Sequence, residues 1–139
     1  RTPVGEWGGV SWVDDSKATN PHAARAATAA YDPVILIAGG RNKGLDLASL
    51  VTASTVKHVV AIGESRDEIV TAVGDPDRVT PADSLDTAVA VAAAIAEAGD
   101  TVLLAPGCAC FDMFSSYAAR GDAFAAAVRG FHHDPAGRT

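Results

Sequence analysis

A chain of 139 residues is the size of one domain, long enough to bury a core without staples. Its 11 basic and 17 acidic residues give a net charge of −6, which repels phosphate backbones and excludes general nucleic-acid binding; no apolar run approaches the length of a membrane span. Cys108 and Cys110 are one residue apart and make no disulfide framework, so they are read as reduced and the compartment as cytoplasmic.

Short apolar runs alternate with longer, alanine-rich amphipathic ones. The first strand is predicted over Val10 to Val13. A loop from Asp14 leads to Asn20-Pro21, an N-cap followed by Pro at the first helical position, and a helix to Ala30. Val34-Ile35-Leu36-Ile37-Ala38 ends in Gly39-Gly40 and reads as a strand buried on both faces. A helix follows from Leu45 to Ser54, then a strand from Lys57 to Ile62. Ser65 and Glu68 form a capping-box pattern for a helix running to about Val73. A short strand is predicted near Arg78-Val79. The helix from Ser84 to Ala98 places Leu85, Val89, Ala92 and Ala96 on one stripe and stops at Gly99. Thr101 to Ala105 is the last strand, ended by Pro106-Gly107. The last helix spans about Asp112 to Arg129, and the tail after Gly130 reads as loose.

This order predicts a Rossmann-like α/β domain, a mostly parallel sheet with helices on both faces. One domain covers residues 1–130, with a flexible tail at 131–139. Ligands of such sheets sit beyond the carboxyl ends of the strands. That rule selects three loops: Asp14 to Asn20, Gly39 to Asp46, and Ala105 to Asp112.

The first loop brings Asp15 and Lys17 to a helix N-terminus, where free N–H groups and the dipole favour anions. Asp15 suits ribose hydroxyls or a metal-bound water. The second loop offers Arg41 and Lys43 behind two glycines, but its spacing matches neither a P-loop nor a dinucleotide fingerprint. The third carries Cys110 and Phe111 near a helix start. A catalytic thiol needs a base, and His22, His58, His132 and His133 have no sequence reason to approach it. A C-x-C zinc site needs two more ligands, so no metal site is expected and the cysteines are read as packing or ligand-lining. Each loop alone also reads as an ordinary capped turn. Together they predict one rim bearing Lys17, Arg41 and Lys43 that holds a small anion, with no obvious acid–base pair or nucleophile.

At these loops the sequence resembles the Mur ligases, and among them the D-glutamate-adding members. Asp15-Ser16-Lys17-Ala18-Thr19-Asn20 is similar to their form of the first loop. Gly39-Gly40-Arg41-Asn42-Lys43 follows at the expected strand end. Leu104-Ala105-Pro106 through Arg120-Gly121 resembles the family's S-P-A-x-A-S-x-D-x-F…R-G signature, with Asp112, Phe114, Arg120 and Gly121 matching. Order and spacing agree from about Val10 to Val128.

The resemblance implies a C-terminal, amino-acid-binding domain of an ATP- and Mg²⁺-dependent ligase in peptidoglycan synthesis. Such an enzyme adds D-glutamate to UDP-N-acetylmuramoyl-L-alanine through an acyl phosphate. It implies Lys43, Thr19, Cys110, Phe111 and Tyr117 as D-glutamate contacts, and Asp15, Lys17 and Asn20 as nucleotide-facing residues. Arg1 would match an arginine of the interdomain hinge. No catalytic residue is expected in this domain. The N-terminal uridine-nucleotide domain and the central ATPase domain, which holds most of the ATP and Mg²⁺ contacts, are not in this sequence, so the expectation is a monomeric piece inactive alone. Two positions depart from the family pattern: Cys110 stands where Ser is usual, and Gly107 where Ala is common. A thiol donates more weakly than a hydroxyl, which puts carboxylate affinity in question. The alternatives are a related amino-acid ligase of the folylpolyglutamate-synthase type and a non-catalytic module binding a small anion.

Overall fold

The computed structural model describes residues 2–40, 47–107 and 117–133, the first and last residues of the final span by backbone alone. A hairpin opens the chain: β1 (Thr2–Trp7) pairs antiparallel with β2 (Val10–Asp14) across Gly8-Gly9. These glycines have φ of +60° and +81°, the two-residue turn that matches strand twist. Then come α1 (Pro21–Thr28), β3 (Val34–Gly39), α2 (Ala48–Val51), β4 (Val56–Ile62), α3 (Arg66–Val73), β5 (Val79–Pro81), α4 (Leu85–Ile95), β6 (Thr101–Leu104) and α5 (Tyr117–His133).

The six strands form one sheet in the order β1-β2-β6-β3-β4-β5, parallel throughout except for β1 at the edge. Alternate residues along each strand face opposite layers. Val34, Leu36 and Ala38 pack with Ala24 and Ala27 of α1, Leu50 of α2 and Ile69 of α3. Ile35 and Ile37 pack with Leu85, Val89 and Ala92 of α4 and with Phe124 and Val128 of α5. Both faces of the central strands are therefore dry, which is why they read as unbroken apolar runs. The chain steps outward from β3 to β5 with its helices on one face, then returns to β6 with α4 on the other. Right-handed crossovers require that change of face. No helix among the described residues is long and apolar enough to cross a membrane.

Five local expectations are corrected. The antiparallel β1 was not predicted; Pro3 and Gly5 interrupt its pattern, and as an exposed edge it has no continuous apolar run. The helix expected over Leu45 to Ser54 ends at Val51. Thr52 Oγ1 donates 2.6 Å to the Ala48 carbonyl there, a back-bond that competes with further winding. Ser65 makes no side-chain cap to α3. Its backbone is not extended (φ −89°, ψ 10°), and its amide donates to the Gly40 carbonyl at 3.0 Å. α4 ends at Ile95 with Ala96 extended, short of Ala98. The Asp100 carboxylate takes the Glu97 amide at 2.9 Å, and Gly99 donates to the Gly9 carbonyl at 2.8 Å, which turns the chain into β6 instead. Last, residues 131–133 continue α5 rather than fraying. His132 stacks on Trp7 at 4.4 Å between ring centroids and meets Trp12 edge-on at 5.4 Å.

Candidate functional site

Parallel pairing places the carboxyl ends of β2, β6 and β3 side by side. Asp14 lies opposite Leu104, and Leu104 opposite Ile37. The loops leaving these strands are then stitched together by backbone. Asp15 N donates to the Leu104 carbonyl at 2.8 Å, Gly39 N to the Pro106 carbonyl at 2.9 Å, and Gly107 N to the Ala18 carbonyl at 2.8 Å. The chain after β6 passes to α5 on one face of the sheet, while those after β2 and β3 pass to α1 and α2 on the other. A crevice opens where neighbouring connections part.

Two glycines permit this crowding. Gly39 has φ of +131°, and a Cβ there would run into the Ile62 carbonyl of β4. Gly107 has φ of +69°, and its Cβ would come within 2.6 Å of Leu50 Cδ2. Alanine, common at the latter position in the resemblance, would need Leu50 to move.

A cleft of about 220 Å³ lies between the first loop and α5, lined by Thr2, Asp14, Asp15, Ser16, Lys17, Ala118 and Asp122. Lys17 is exposed, Asp15 and Thr19 are half-buried, and Ala18 between them is buried as the loop's anchor. The exposed ammonium suits a phosphate oxygen, and the half-buried carboxylate suits sugar hydroxyls. Three carboxylates line this cleft with one cation, so this part of the rim is acidic on balance; Arg41 and Lys43 of the expected cationic rim lie outside the described residues. Among the described residues no three His, Cys, Asp or Glu side chains group to hold a metal ion.

Asn20 accepts the Ala23 amide at 2.9 Å as the N-cap of α1. That side-chain oxygen is engaged in the helix start, so its nucleotide-facing role is not what the geometry shows first. Tyr117 begins α5, one residue before the cleft-lining Ala118. Arg1, Arg41, Lys43, Cys110 and Phe111 lie outside the described residues. The stems of their segments are described: Thr2 pairs with Asp14 at the rim, and Gly39, Gly40 and Gly107 are joined to the loop network.

Arg120 and Gly121 matched only as signature letters, but the structure shows what they touch. Arg120 is 1% exposed, and its Nη2 donates to the Ser16 carbonyl at 3.2 Å. A Cβ on Gly121 would stand 2.5 Å from Asp14 Oδ2 and 2.6 Å from Ser16 Oγ. Asp122 was not singled out. Its i, i+4 spacing from Ala118 was the available signal that both face the same cleft.

Comparison with known proteins agrees with this architecture. The family described as "Mur ligase, glutamate ligase domain" matches residues 2–108. A UDP-N-acetylmuramoylalanine–D-glutamate ligase of Frankia casuarinae is 57% identical over 126 residues, covering 87% of this chain and 27% of the relative. Ligases of the same name from Chlamydia caviae and Streptomyces avermitilis are each 48% identical over 87% and 91% of the chain, and 30% and 29% of their own lengths. The chain thus spans about three tenths of the length of these relatives. A solved domain described as part of a UDP-N-acetylmuramate:L-alanyl-gamma-D-glutamyl-meso-diaminopimelate ligase of Haemophilus ducreyi superposes with a TM-score of 0.61. It covers 89% of this chain and 95% of its own at 16% identity, a likeness of fold. Sheet order, strand-end loops and the match over most of the chain lead to one assignment: the chain belongs to the Mur ligase, glutamate ligase domain family.

Proposed function

We propose that this chain is the amino-acid-binding domain of an ATP-dependent ligase that joins D-glutamate to UDP-N-acetylmuramoyl-L-alanine in peptidoglycan synthesis. The observation that carries this reading is the junction of three motif-bearing loops at one rim, in a chain 57% identical to a ligase named for that reaction. In the reaction, a carboxylate oxygen of the acceptor takes the terminal phosphoryl of ATP, and ADP leaves. The D-glutamate amine then attacks the acyl carbon, loses a proton, and phosphate departs. Such chemistry needs positioning and charge neutralisation more than a side-chain nucleophile.

In this reading Lys17 meets a phosphate oxygen and Asp15 a ribose hydroxyl, as their exposure in the cleft allows. Thr19, Lys43, Cys110, Phe111 and Tyr117 receive the amino acid, whose two carboxylates call for a cation and hydrogen-bond donors at separate points. Arg1 belongs to the hinge that leads toward the nucleotide. Mg²⁺ and most ATP contacts come from another domain in this reading. The enzyme works as a monomer in the cytoplasm, where its nucleotide substrates are made.

Titration of the chain with D-glutamate tests the reading. Weak binding is expected, falling about ten- to a hundredfold in Lys43→Ala, the worth of a charged hydrogen bond. The chain alone should form no product from ATP, D-glutamate and the acceptor. Equal affinity for L- and D-glutamate, or turnover by the chain alone, would overturn it.

A further inference from the structure

We propose that Arg120 and Gly121 are positioning residues that lock the loop carrying Asp15, Lys17 and Thr19 to α5, so that the two walls of the cleft move as one piece. The inference rests on the function proposed above for what the loop holds, but its structural half stands apart from it.

Backbone bonds tie the loop to the strand ends beside it, Gly107 N donating to the Ala18 carbonyl at 2.8 Å. Asp15 N is tied to β6, Ser16 N to Asp14 Oδ1 at 2.9 Å, and Ala18 N to the Asp15 carbonyl at 2.9 Å. Those bonds hold it along the sheet. A restraint across the crevice is the Arg120 guanidinium, which reaches the Ser16 carbonyl from a residue 104 positions away. Gly121 sets the approach: with the Asp14 carboxylate and the Ser16 hydroxyl where its Cβ would be, α5 lies directly on the loop. Ala118 and Asp122, which flank the pair on the same helix, form the opposite wall of the cleft.

A charge at 1% exposure is a poor choice for filling space. An apolar side chain of similar length would pack there without desolvating a guanidinium. What it would lack is a rigid donor aimed at one carbonyl. The bond it makes to the loop uses that donor.

The test has two arms. In the first, amide hydrogen exchange is followed in this chain and in Arg120→Met, Arg120→Lys and Gly121→Ala. The expected result is exchange at least roughly tenfold faster at Ala18, Thr19 and Gly107, with β3 and β4 unchanged. In the second, the same substitutions are placed in the full-length ligase. kcat/KM for ATP should fall about ten- to a hundredfold, mostly in KM. KM for the uridine-nucleotide acceptor, held by a different domain, should not move. A residue that only maintained the fold would lower the active fraction and kcat while leaving KM alone. Should Arg120→Met fail to fold, Arg120→Lys and Gly121→Ala decide both arms. Folded variants with unaltered loop exchange, or an unaltered KM for ATP, overturn the proposal. If the unsubstituted enzyme does not use D-glutamate, the function proposed above fails, and the exchange arm still judges the lock.

Discussion

Replacing Gly39 by alanine puts a methyl group where β3 and β4 leave no room. The φ of +131° is one that residues other than glycine hold at a cost of about 1–3 kcal/mol. The new Cβ also meets the Ile62 carbonyl, a backbone atom at the end of β4 that no rotamer change can move aside. Overpacking of that kind adds about 1–3 kcal/mol. The sum, about 4 kcal/mol, is a large share of the roughly 5–15 kcal/mol of a typical domain. Gly74 supplies the control. Its φ is +73° at the end of α3, but the nearest atom to its Cβ is the Thr71 carbonyl oxygen at 3.9 Å. Gly74→Ala then costs only the conformational part, about 1 kcal/mol. In urea unfolding with a slope of about 2 kcal/mol per molar, midpoints should drop by about 2 M and about 0.5 M respectively. Equal shifts for the two variants would refute the reasoning, because they would show that the strand contact yields without cost.

Three further outcomes follow from other contacts. Asn20→Ala should cost about 1 kcal/mol in a thermal melt and Asn20→Asp almost nothing, since either carboxamide or carboxylate can accept the Ala23 amide; equal losses would remove the capping role. Lys57 Nζ lies 2.5 Å from the buried Asp100 carboxylate, so Lys57→Met should destabilise by about 1–3 kcal/mol, and adding Asp100→Asn should restore part of it. Absence of that recovery in a double-mutant cycle would show that the pair is not coupled. His58, with Nε2 2.9 Å from Thr80 Oγ1, is held below the usual histidine value of 6.5 by burial first and then by the Arg78 guanidinium. The unfolded chain takes up its proton first as pH falls, so this contribution is present above about pH 6.5 and lost below it. His58→Gln should flatten the stability–pH curve between pH 8 and 5.5; parallel curves for the two proteins would contradict the shift.

The buried strands were legible because burial on both faces leaves an unmistakable apolar run, and glycine marks where each one ends at the rim. β1 was not, although Gly8-Gly9 between Trp7 and Val10 is a hairpin signal. Exposed edge strands carry little hydrophobic pattern, and Glu6 and Pro3 further mask this one. That omission caused a second. The end of α5 reads as loose only when Trp7 has no place in the sheet; with β1 in position, His132 has a ring to stack on. The three candidate loops could be selected by the strand-end rule alone. The Arg120 bond to Ser16 could not, since nothing local in either segment announces a partner across the whole domain.

The middle strand of the sheet is the last to be synthesised. Until residues 101–104 slot between β2 and β3, no strand bridges those two and their loops have no common edge. A nascent chain or a C-terminal truncation ending before that point therefore holds most of the described helices and one wall of the cleft, without the α5 wall that faces it. The rim is thus joined in a late event, through a sequence-distant pairing of the kind that slows folding.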